Sequence, residues 1–146
     1  MAVTFSIMVA AMVTAPALAV LPAWTAWTTL AALVLCFWTT FNVGRARAKF
    51  GVRAPSTDGP PAFLSVLRVQ VNTVEQLIVF LPALWLCAFL AGDRTAALGG
   101  MVWLVGRLWY AIAYYRDAAR RGPGFVIAML ATMGLMLGAV SGLVLR

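Results

Sequence analysis

From Pro22 onward the chain reads as four long apolar runs divided by short polar breaks. The runs cover about Pro22–Phe50, Ala62–Ala91, Thr95–Arg120 and Phe125–Leu145. Each reaches the length of about 20 apolar residues that a helix needs to cross a bilayer core. The first break, GVRAPSTDGPPAF, concentrates Pro, Gly, Ser, Thr and Asp, which is turn chemistry without strand-like alternation. AGDRT and RRGPG make the other two. The pattern predicts an all-α membrane protein built as a four-transmembrane-helix bundle, occupying residues 22–146. Residues 1–21 form an apolar extension interrupted by Pro16. They lack the basic n-region of a signal peptide, so a short interfacial or partly inserted helix is the expectation for them.

Two of the runs carry polar residues at helical spacing. In LRVQVNTVEQL, Arg68, Asn72 and Glu75 stand at i, i+4 and i+7 and share one face of the second helix. An intramembrane carboxylate needs a partner or water and marks a functional site by default, although Arg68 and Glu75 could also simply neutralise each other. In VGRLWYAIAYYRDAARRGPG, Arg107, Tyr110, Tyr114, Asp117 and Arg121 follow spacings of three and four and predict a second polar face. Tyrosines near a helix end also form interfacial belts, but arginines beside them add anion clamps to phenolic donors. Together the two faces fit a small zwitterion with excess negative charge.

Composition narrows the chemistry. The chain is 64% hydrophobic and 10% charged, far from the quarter or so charged residues of a soluble domain. Residues 1–44 contain no charged side chain at all. The net charge of +7 lies in two clusters, Arg45, Arg47, Lys49 and Arg53 in one and Arg116, Arg120 and Arg121 in the other. Clusters that flank apolar helices point away from nucleic acid and place both on one membrane side, by charge bias the cytoplasm. The opposite side holds Asp93, Arg94 and Arg146. With no histidine in the chain, His-based triads and most zinc sites are excluded, and Cys36 and Cys87 sit in apolar runs as small hydrophobes, so no metal is expected. Gly134, Gly138 and Gly142 suggest a close helix approach, and Met129, Met133 and Met136 a core or lipid-facing stripe.

GPPAFLSVLRVQVNTVEQ and RLWYAIAYYRDAARR resemble motifs of the membrane-associated proteins in eicosanoid and glutathione metabolism, the MAPEG family. In the first, Gly59, Pro60, Pro61, Phe63, Arg68, Gln70, Asn72 and Glu75 match; in the second, Arg107, Tyr110, Tyr114, Arg116 and Arg121 match. The resemblance implies a homotrimer that binds glutathione as co-substrate between subunits near the cytoplasmic face. It implies glutathione contacts from Arg47, Arg68, Asn72, Glu75, Tyr110 and Tyr114, with Gln70 also at the site. Arg121 matches the arginine assigned to thiolate activation, and Arg120 is its nearest substitute. The sequence departs from the family's pattern: FLSV stands where FERV is common, Gln76 where an aromatic is frequent, Ala48 where some synthases carry a second arginine and Ile78 where proline is frequent. The activity the resemblance implies is therefore that of a general glutathione transferase or peroxidase acting on hydrophobic electrophiles or lipid hydroperoxides. Two other classes compete: a non-catalytic lipid-binding or scaffold member of the fold, and a small proton-coupled multidrug exporter using Glu75.

Overall fold

The computed structural model describes residues 21–145, so the expectation for residues 1–20 and the placement of Arg146 lie outside the described residues. Four helices form: α1 Ala23–Phe50, α2 Pro61–Ala91, α3 Asp93–Arg116 and α4 Gly122–Val144, with a 3₁₀ turn Ala118–Arg121 before the last. Each is long and apolar enough to cross a membrane, α4 together with its leading turn. α1 packs on α2 and α3, and α4 packs on α3 and α2.

Local chemistry explains the ends. α1 stops at Gly51, whose left-handed φ of 67° lets its N–H turn back to the Arg47 carbonyl. Pro61 stands in the first turn of α2, where a missing N–H costs nothing. Gly92 alone separates α2 from α3, and its φ of 109° is a conformation that side chains resist. The reversal is therefore tighter than the AGDRT break predicts, and α3 begins at Asp93 rather than Thr95. The other end of α3 also differs from the predicted one. Asp117 adopts an extended conformation and its carboxylate accepts from Ala119 N–H at 2.9 Å, nucleating the 3₁₀ turn in place of another helical turn. Helix resumes at Gly122, ahead of the predicted Phe125, because Pro123 is suited to a first turn.

The core joins all four helices. Phe80 of α2 stacks on Trp103 of α3 at 3.9 Å between ring centroids, and Ala32, Leu84 and Leu135 surround the pair. Buried threonines satisfy their hydroxyls within the helix: Thr28 donates to Trp24 O, Thr73 to Val69 O and Thr132 to Ala128 O. The outer surface is apolar, with Trp27, Phe37, Ile78 and Leu137 all more than two-thirds exposed, as a bilayer-facing surface requires. Met129, Met133 and Met136 belong to that outer face.

The glycine stripe expected to allow a close helix approach does so at two of its three positions. A Cβ at Gly134 would meet nothing, so that residue leaves α4 facing open space, while Gly138 and Gly142 pack on Cys87 and on the Leu90 carbonyl of α2. The closest α3–α4 approach is elsewhere, at Gly106 and Gly124, where backbone meets backbone.

At the opposite end, Asp93 ties α3 to the start of α1. Its carboxylate accepts from Trp24 N–H at 3.0 Å, Thr25 N–H at 2.8 Å and the Thr25 hydroxyl at 2.7 Å. Those backbone groups are first-turn donors that a helix cannot satisfy itself. Asp93→Ala should lower stability by about 1–2 kcal/mol, the usual cost of losing such a cap, and Asp93→Asn by less. Thermal unfolding in detergent reads this; an unchanged midpoint would show that water replaces the carboxylate at no cost.

Candidate functional site

At the basic end, side chains from α2, α3 and the 3₁₀ turn meet. Asn72 Nδ2 donates to the Tyr110 hydroxyl at 2.6 Å. Tyr110 and Tyr114, one helical turn apart on α3, stand edge to face with centroids 5.5 Å apart. Arg121 Nη1 donates to the Tyr114 hydroxyl at 3.4 Å, and its guanidinium lies 5.3 Å from that ring's centroid. Tyr110 and Tyr114 are both buried, which removes them from the interfacial belt. Each phenol accepts one hydrogen bond here and keeps its own O–H to donate.

Arg121 does not lie on the helical face that the sequence spacing predicts, because α3 ends at Arg116. It reaches Tyr114 because the chain folds back through the 3₁₀ turn. The same interruption redirects Asp117, which pairs with Arg120 at 3.3 Å on the exposed side. Arg120 is therefore turned to Asp117 while Arg121 is turned to the tyrosines.

The other expected residues are distributed around this cluster. Arg68 and Glu75 are exposed on α2 and form no ion pair with each other among the described residues. Gln70 is half-buried, and two residues' rotation from Asn72 puts it on roughly the opposite side of α2. Arg47 donates to the Ser56 carbonyl at 2.9 Å and lies over the Phe63 ring at 5.5 Å, so it folds onto the α1–α2 loop. The chain thus brings together Asn72, Tyr110, Tyr114 and Arg121, and leaves Arg47, Arg68, Gln70 and Glu75 outside that hydrogen-bonded group.

Arg107 has a place the sequence did not reveal. It is 1% exposed, donates from Nη2 to the Thr73 hydroxyl at 2.8 Å and lies 4.2 Å from the Tyr110 ring centroid. Its Nε and Nη1 have no hydrogen-bond partner among the described residues. A buried guanidinium against one face of Tyr110 fixes that ring in position. The spacing from Arg107 to Tyr110 was visible in the sequence, but the burial depends on Thr73 of α2, which no local pattern connects to it.

Chemically, the cluster offers an amide, two phenols and a guanidinium at the basic end of a membrane-spanning bundle. Such a set of donors stabilises an anion that forms or binds there. Among the described residues no group of His, Cys, Asp and Glu is placed to hold a metal ion.

Comparison with known proteins gives the cluster a context. A family model described as the MAPEG family matches residues 24–141. An uncharacterized protein of Synechocystis sp. is 49% identical over 117 residues, covering 80% of this chain and 85% of its own. Leukotriene C4 synthase of Bos taurus is 39% identical over 93 residues, covering 64% of this chain and 62% of the synthase. Microsomal glutathione S-transferase 2 of Homo sapiens is 33% identical over 100 residues, covering 65% and 68%.

Proposed function

The chain belongs to the MAPEG family and is an integral, multi-pass, all-α membrane protein, and from that premise we propose that it is a glutathione transferase or glutathione-dependent peroxidase whose site is the Asn72–Tyr110–Tyr114–Arg121 cluster. The observation that carries this is the convergence of Tyr114 and Arg121 through the 3₁₀ turn, because it places a fixed cation beside a phenol at the basic end of the bundle. The names of the relatives, a leukotriene C4 synthase and a microsomal glutathione S-transferase, support glutathione as the co-substrate.

Residues 22–146 form the functional unit, assembled as a homotrimer. Gln70 projects to the other side of α2 from Arg68, Asn72 and Glu75, so a ligand touching both sets must lie between neighbouring subunits. There the exposed Glu75 pairs the ligand's ammonium group, Arg68 and Arg47 its carboxylates, and Asn72 and Tyr110 its peptide groups. The two basic loops face the cytoplasm, where glutathione is supplied.

Arg121, with Arg120 or a tyrosine hydroxyl assisting, holds the thiolate, and the thiol proton passes to solvent on binding. In conjugation, the sulfur pair forms a C–S bond to a lipophilic electrophile and the leaving group departs with its bonding pair. With a lipid hydroperoxide, the thiolate attacks the outer peroxide oxygen, and the O–O bond breaks with its electron pair leaving on the alkoxide, which takes a proton from solvent to become the alcohol. A second glutathione then reduces the sulfenic acid to disulfide and water. The bilayer concentrates the apolar partner beside the site.

Binding isotherms test the assignment. Glu75→Gln should weaken glutathione affinity about tenfold or more, since it removes a charge-assisted contact to the ammonium. Unchanged affinity together with loss of pH-driven drug export from vesicles would establish the exporter instead. The orientation has its own test. Cysteines introduced at Ser56 or Gly122 should label from the cytoplasmic side and one at Gly92 from the opposite side; the reverse would remove the site from cytosolic glutathione.

A further inference from the structure

A groove outside the glutathione cluster runs along α1 and changes character along its length. Deep in the span it lies between α1 and α3, a cavity of about 480 Å³ walled by Leu35, Leu104 and Leu108. Toward the basic end it opens into a cavity of about 740 Å³ lined by Asn42, Arg45, Lys49 and Tyr115. Trp38 lines both, so the two cavities adjoin at its ring. Trp38 also packs edge-on against Tyr115 at 5.7 Å, which fixes the junction between the apolar and polar limbs.

The polar limb is built for an anion. Asn42 Nδ2 donates to the Tyr115 hydroxyl at 3.3 Å, which leaves the phenolic O–H and the second amide N–H free to donate outward. Arg45 and Lys49, one helical turn apart, put two cations beside these donors, and no carboxylate lines this cavity among the described residues. A neighbouring cavity on the far side of α3 also has arginines at its rim, but Asp117 lines it and pairs with Arg120. Among the described residues, the α1 groove combines uncompensated positive charge, neutral donors and an apolar limb within the span.

We infer that this groove binds an anionic phospholipid, its phosphate held by Arg45, Lys49, Asn42 and Tyr115 and one acyl chain lying past Trp38 between α1 and α3. Juxtamembrane cations attract acidic headgroups, and a chain buried along the helix holds the lipid in register. None of these side chains belongs to the proposed glutathione site, so the lipid is a resident structural ligand of the subunit and not a substrate.

Native mass spectrometry of the purified full-length protein in detergent, with equal phosphatidylglycerol and phosphatidylcholine, tests this. Phosphatidylglycerol should be retained in preference. Arg45→Gln with Lys49→Gln should weaken its binding about 25-fold, roughly fivefold for each cation, and weaken phosphatidylcholine, whose choline offsets the phosphate charge, much less. Should the double variant fail to fold, each single variant should show its own fivefold loss, and Lys49→Arg should retain the preference. Arg53→Gln with Arg116→Gln, an equal charge change elsewhere at this end, should also retain it. Glycerol phosphate, a headgroup without chains, should not displace the lipid. Equal retention of the two lipids would overturn the inference. So would a preference that survives loss of Arg45 and Lys49, an equal loss in the Arg53 and Arg116 variant, or displacement by glycerol phosphate.

Discussion

Replacing Arg121 by alanine should slow glutathione conjugation about 25-fold at neutral pH while changing glutathione affinity far less. An ordinary cysteine-type thiol titrates near ~8.5, so little thiolate exists at neutral pH. A guanidinium held near the sulfur favours the anion, and lowering the thiol's pKa by about two units corresponds to roughly 2.7 kcal/mol. The geometry supports the choice of Arg121 over Arg120, since Arg121 reaches the Tyr114 hydroxyl whereas Arg120 is engaged by Asp117. The pH dependence has a definite sign. In the parent, activity is present above the lowered thiol pKa and falls away as pH drops through about 6.5; in Arg121→Ala the half-maximal point moves up toward about 8.5. The variant should therefore recover most of its rate at alkaline pH. A purely structural arginine, serving topology or the charge at a helix end, would lower the rate equally at all pH values. Steady-state rates of the two proteins across pH distinguish these outcomes.

The second large effect is expected from Gly124→Val, which should destabilise the bundle by about 3 kcal/mol and abolish glutathione binding with it. Any Cβ at Gly124 collides with the backbone N and Cα of Tyr110 and approaches Gly106 O at 2.8 Å. Backbone atoms in a helix cannot swing aside as a flexible side chain can, so α3 and α4 must separate. Separation at that point moves Tyr110 and the 3₁₀ turn that carries Arg121, disrupting the site along with the packing. Gly134→Val is the matched control, because a Cβ there meets nothing within 4 Å and the substitution should leave both properties unchanged. Thermal unfolding in detergent and glutathione binding should be measured on both variants. A Gly124→Val protein with parental stability would show that the α3–α4 contact is not close in the membrane.

The four spans were legible because burial in a bilayer demands long apolar runs, and Gly-Pro chemistry fixes where those runs break. The end of α3 was less so. Asp117 and Arg121 continue the helical spacing in sequence, yet the Asp117 carboxylate competes for the local backbone and redirects the chain. That one turn separates Arg120 from Arg121, two neighbours that sequence alone could only rank by resemblance. The partnership of Asn72 with Tyr110 joins residues that the two polar faces had named separately. The helix approach at Gly106 and Gly124 was hidden because a glycine every four residues reads the same whether it faces a neighbour or lipid. Gly134 and Gly124 differ only in where the neighbouring helices lie. Arg107 shows the same limit: its depth is set by Thr73 on another helix.

The ultraviolet absorbance of glutathione thiolate, followed as the ligand is added to the purified protein at neutral pH, tests the central claim most directly. Bound glutathione is predicted to give a saturable thiolate signal in the parent, accompanied by proton release, and to bind largely as the thiol in Arg121→Ala. Glutathione that binds the parent without a thiolate signal, or an equal signal from both proteins, would contradict the assignment of Arg121 as the thiolate's partner.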